Sequence, residues 1–92
     1  EQARRHFDRA VELSRGRSAA PYVTFAESVS VPAQDWREFR DLLEQALAID
    51  PNGEPSLRLA NILAQRRAEW LLTRAEILFL DYPEAGDADS LD

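Results

Sequence analysis

The chain has 92 residues, 45% of them hydrophobic, with a net charge of −6 and neither cysteine nor methionine. That length supports one small domain, which buries about two thirds of its unfolded surface. The missing cysteines exclude a disulfide scaffold or thiolate metal site within these residues. The longest apolar run, Ile77 to Leu80, is far short of the ~20 residues a membrane span requires.

Charge is unevenly placed. Asp81 to Asp92 holds five acids and no bases, whereas the preceding residues carry 12 acids against 11 bases, all arginine. No concentrated basic footprint marks a nucleic-acid binder. Starting at Glu1 without an initiator methionine, the chain reads as a piece of a longer protein.

Glu1 to Arg15 predicts a helix, with Ala3, Phe7, Ala10, Val11 and Ser14 at helical spacing and Leu13 widening the apolar face. Gly16 should stop it. Ser18 offers an N-cap, and Pro21 sits in the first turn of a second helix, where its missing N–H does no harm. That helix should run to about Val29, bury Tyr22, Phe25, Ala26 and Val29, and end at Pro32.

Asp35 caps a third helix, and Glu38 completes a capping-box pattern. Its buried stripe is Trp36, Phe39, Leu42, Leu43, Ala46, Leu47 and Ile49, and Asp50-Pro51-Asn52-Gly53 breaks it. From Pro55 or Ser56 no breaker occurs before Asp81-Tyr82-Pro83, which predicts one long helix of roughly 25 residues and about 37 Å. The composition of 83–92 predicts a disordered acidic tail, leaving 1–82 as the domain.

Residues 3–13 repeat as 39–49. Offset by 36, Phe7 falls on Leu43, Ala10 on Ala46 and Leu13 on Ile49. This is the Ala-x3-Phe-x2-Ala pattern of a tetratricopeptide second helix, with Pro51 at the repeat's terminal proline. Tyr22-x2-Phe25-Ala26-x2-Val29 then fits the first helix. The expected fold is all-α: tetratricopeptide-like helical hairpins of an α-solenoid, ending in the long C-terminal helix. Half a repeat, a whole one and a cap leave an open end for upstream repeats or an oligomer to cover.

In the repeat frame Val23, Glu27 and Ser30 take positions that line a concave face, and the loop carrying Gln34 extends it. These four are the candidate partner groove. Peptide clamps that grip a terminal carboxylate use Lys and Asn at such positions, and this chain has no lysine. Trp36 and Trp70 are interface-type residues. Trp36 is expected to pack on a neighbouring helix, with a partner contact as the alternative; for Trp70, core and interface both stay open. His6, the sole histidine, reads as solvated or packed, because no ligand partner lies at helical spacing. No nucleophile elbow, Gly-rich phosphate loop or His-Glu-x2-His motif occurs, so no catalytic residue, metal or cofactor is expected.

Residues 3–80 resemble the C-terminal part of the TatT family, the tetratricopeptide-type T components of a class of tripartite ATP-independent periplasmic (TRAP) transporters. The likeness rests on Pro21-Tyr22-Val23-Thr24, Ser28-Val29-Ser30-Val31-Pro32, Ala48-Ile49-Asp50-Pro51 and Arg58-Leu59-Ala60-Asn61. It implies an exported, lipid-anchored periplasmic protein that forms homo-oligomers, trimers in the family. Its implied partner is the periplasmic solute-binding protein, with passage of an apolar ligand as a further possibility. The alternative is a peptide-binding adaptor unrelated to transport.

Overall fold

Helix ends leave backbone N–H and C=O groups without intrahelical partners, and in a small domain those ends lie close to the core. How this chain satisfies them sets its architecture. The computed structural model describes residues 2–82, and the expected tail at 83–92 lies outside them. The described residues form α1 (Gln2–Ser14), α2 (Ala20–Phe25), a π-helical turn (Ala26–Ser30), α3 (Trp36–Ala48), a 3-10 turn (Pro55–Leu57), α4 (Arg58–Thr73) and α5 (Ala75–Leu78). The expected all-helical class is what the chain adopts.

α1 ends in a Schellman arrangement. Arg15 and Gly16 both take positive φ (56° and 71°), and their N–H groups donate to Glu12 O (3.1 Å) and Val11 O (2.9 Å). Glycine adopts this conformation without strain, so Gly16 stops the helix as expected, with Arg15 sharing the turn. Ser18, the expected cap of the second helix, makes no cap; the N-cap is Ala19, which has no side-chain oxygen. The buried amide of Asn61 from α4 intervenes instead. Its Oδ1 accepts from Ala19 N–H and its Nδ2 donates to Arg17 O, each at 2.8 Å.

The second helix does not continue as an α-helix to Val29. After Phe25 it widens, with Val31 N–H donating five residues back to Ala26 O (3.1 Å). Pro32 explains this: it has no N–H to give Ser28, and its ring would clash with that carbonyl in a regular turn. An i→i−5 turn makes the room.

Asp35 caps α3 through Oδ1, which accepts from Glu38 N–H (3.1 Å). The box is only half made, because Asp35 N–H donates to Ser30 O (3.0 Å). The Glu38 carboxylate instead takes the Ser30 hydroxyl and the Arg4 guanidinium, each at 2.8 Å. At the other end of α3, Gln65 Nε2 donates to Ala46 O (3.0 Å) and Ile49 O (2.6 Å).

The expected single long helix breaks at Arg74 (φ −103°, ψ 3°). Thr73 Oγ1 donates to Trp70 O at 2.6 Å, the carbonyl that Arg74 N–H would take in a continuing α-helix. Arg74 N–H moves to Leu71 O (2.9 Å), and the ladder tightens. The break aims Ala75 and Phe79 inward, and Phe79 meets Phe39 edge-on at 4.7 Å. Gln34 then straps the end of α5: Nε2 donates to Leu78 O and Oε1 accepts from Leu80 N–H, both at 2.9 Å.

α2, α3 and α4 pack against one another, and α2 also touches α1. The core combines Ala19, Val23, Phe25 and Ala26 with Phe39, Leu42, Leu43 and Ala46, closed by Ala68, Leu71, Ala75 and Phe79. Phe7 of α1 stacks on Tyr22 and Phe25 (5.4 and 4.9 Å), yet α1 itself has no buried residue. Every buried side-chain N or O among the described residues has a hydrogen-bond partner.

Two outcomes follow from these amides. Asn61→Ala strands a buried N–H at Ala19 and should lower stability in urea unfolding by about 2–3 kcal/mol, against under ~0.5 for exposed Gln45→Ala. Gln34→Ala should speed amide exchange at Leu80 while leaving the α3 core amides unchanged.

Candidate interaction surface

The four expected groove residues do not line one groove. α2 is covered on three sides, so more of its circumference is buried than a solenoid's edge helix would show. Val23 is only 5% exposed and belongs to the core. Ser30 is fully buried, its hydroxyl given to Glu38. Gln34 is exposed, but its amide is engaged with the end of α5. Only Glu27 faces outward with its carboxylate toward a surface side chain.

That carboxylate meets Arg67 of α4 as a fork: Nε to Oε1 at 3.1 Å and Nη2 to Oε2 at 2.6 Å. These hydrogen bonds, and then the Glu27 charge, raise the Arg67 pKa above its ordinary value. The same guanidinium lies over the Trp70 ring at 4.7 Å, and Arg74 lies over that ring at 5.1 Å. Glu27 and Trp70, proposed from the sequence for separate reasons, are thus joined through Arg67, which sequence reasoning did not single out.

Trp70 is 45% exposed, so its place is the surface of this chain and not its core. On α4 it points away from Asn61, Ala68 and Leu71, the helix's buried residues. Leu63 lies two turns before it and Ile77 two turns after, 55% and 73% exposed, with exposed Leu59 four residues before Leu63. The outcome is an apolar stripe whose central indole is held by two cations. Ordering the ring in advance lowers the entropy cost of contact, and an indole with stacked guanidinium suits a protein interface.

Trp36 is half-buried against Tyr82, edge-on at 5.3 Å, with Arg37 and Arg40 over its ring at 4.7 and 5.4 Å. It therefore packs on the returning C-terminal segment. His6 is exposed on α1. Among the described residues no group of three or more His, Cys, Asp or Glu side chains could hold a metal ion, and no helix is long and apolar enough to cross a membrane.

Comparison with known proteins bears on this surface. The chain is 32% identical over 81 residues to an uncharacterized protein of Treponema pallidum (strain Nichols), covering 88% of this chain and 25% of the relative. The chain thus spans about a quarter of the length of the curated relative it matches. No solved structure matches. The family model of the TRAP transporter T-component matches residues 1–79. On that match the chain belongs to the TRAP transporter T-component family, a family of transport-associated components.

Proposed function

We propose that this chain is a non-enzymatic docking module of a periplasmic T component, and that it binds the transporter's solute-binding protein through the outer face of α4 and α5. The observation that carries this reading is Trp70, exposed and in line with Leu63 and Ile77, with Arg67 and Arg74 over its ring. Membership in the T-component family supplies the kind of partner. In the whole protein, the family implies a lipid anchor outside these residues and assembly into an oligomer, with an apolar ligand passing between components. The mechanism is surface recognition without bond-making.

The peptide-adaptor alternative fares less well. It needs Val23, Glu27 and Ser30 accessible together, and two of the three are buried. The third is engaged by Arg67.

Binding of the cognate solute-binding protein tests the proposal, measured by calorimetry with the full T component. Removing a central interface tryptophan typically costs at least ~2 kcal/mol, so Trp70→Ala should raise Kd about thirtyfold or more. Ile77→Arg should weaken binding as well, while Arg5→Ala on α1 should leave it unchanged. Unaltered affinity in both Trp70→Ala and Ile77→Arg would remove this face from the interface.

A further inference from the structure

A second surface, on the opposite side of α2 from the α3–α4 core, is incomplete in a way the chain's own repeat defines. In α3 the residues Phe39, Leu42, Leu43 and Ala46 are all buried, because α2 and α4 both pack on that helix. The 36-residue offset places Ala3, His6, Phe7 and Ala10 of α1 at the same four positions. There they are exposed or half-buried. The difference lies in the neighbours: α2 follows and packs on α1 as α4 follows and packs on α3, but among the described residues no element stands to α1 as α2 stands to α3.

Those four residues form one wall of an open groove of about 470 Å³. Thr24, Phe25, Ser28 and Val29 contribute to its other wall. The walls are chiefly carbon, and the exposed side chains at the α2 rim, Thr24 and Ser28, are uncharged and small. A helix with small or aromatic residues on its inner face can approach closely there, as Phe25 and Ala26 do within the core. A charged or strongly polar segment would lose its hydration without finding a partner.

We infer that the α1–α2 groove is a docking site for an amphipathic helix of the same type as α2, the first helix of a tetratricopeptide-like repeat. This surface is separate from the α4–α5 face and does not depend on what that face binds. The occupant follows from repeat geometry: the helix that fits stands 36 residues before α2 in register and presents the α2 pattern of Tyr22, Phe25, Ala26 and Val29. His6, at the Leu42 position, would be its least apolar contact.

The chain supplies its own probe. A copy of Ser18–Trp36 placed directly before Glu1 stands to α1 in the same register as the resident segment stands to α3. Hydrogen exchange of the extended chain is then compared with that of the 92-residue chain. The expected result is at least ~tenfold slower exchange of the α1 amides, from suppressed local opening. Thr24→Arg with Ser28→Arg in the resident segment, both exposed and outside the core, should abolish that protection with the core amides still protected. Unchanged α1 exchange in the extended chain would overturn the inference. So would self-association of the 92-residue chain, seen by sedimentation and abolished by the same arginine pair, because the occupant would then be a second copy.

Discussion

The fold depends on Asn61 more than on any other side chain. It is a buried amide on the inner face of α4, and it satisfies both an N–H and a C=O of the segment entering α2. Ala19 has no hydroxyl with which to cap its own helix, so without Asn61 the start of α2 would carry an unpaired donor in a fully buried position. One turn on, Gln65 closes the C-terminal carbonyls of α3. A single helix face therefore fastens α2 at one end and α3 at the other, and the α2–α3 pair is oriented by α4 and not only by its own contacts.

This arrangement has a consequence for the surface. Asn61, Gln65, Ala68 and Leu71 face the interior from one side of α4, which leaves Leu63 and Trp70 exposed on the other. The break at Arg74 extends the division. By tightening one turn it aims Ala75 and Phe79 inward while Ile77 stays outside, and Gln34 keeps the chain end from moving away. Arg74, the residue at the break, also lies over the Trp70 ring. The same local change that completes the core thus shapes the outer stripe.

Much of this was legible in the sequence, for identifiable reasons. Local chemistry set the end of α1 at Gly16, the position of Pro21 in the first turn of α2, the Asp35 cap and the break at Asp50-Pro51, and each is found in the structure. The family resemblance, read from short stretches spread along the chain, agrees with the family match across residues 1–79. The failures have two causes, local competition for backbone groups at Pro32 and Thr73 and tertiary partnership elsewhere. The Thr73 hydroxyl could compete for Trp70 O or point elsewhere, and sequence periodicity could not choose. Val23 and Ser30 take concave-face positions in the repeat frame, but packing in the core buries Val23 and Glu38 takes the hydroxyl of buried Ser30. Asn61 and Gln65, polar residues four apart on α4, find their partners at the Ala19 entry to α2 and the Ala46–Ile49 end of α3, which periodicity could not pair with them. Arg67 carried no signal, because its pairing with Glu27 spans 40 residues.

The inner face of α4 builds the domain, and the outer face of α4–α5 is the surface we propose for the transport partner. The deciding measurement is hydrogen exchange of the T component, alone and with the proposed solute-binding partner. Binding should slow exchange along Leu63 to Ile77 and leave the α1 amides as they were. Protection confined to α1 and the Val23–Ser30 segment, with α4 and α5 unchanged, would contradict it.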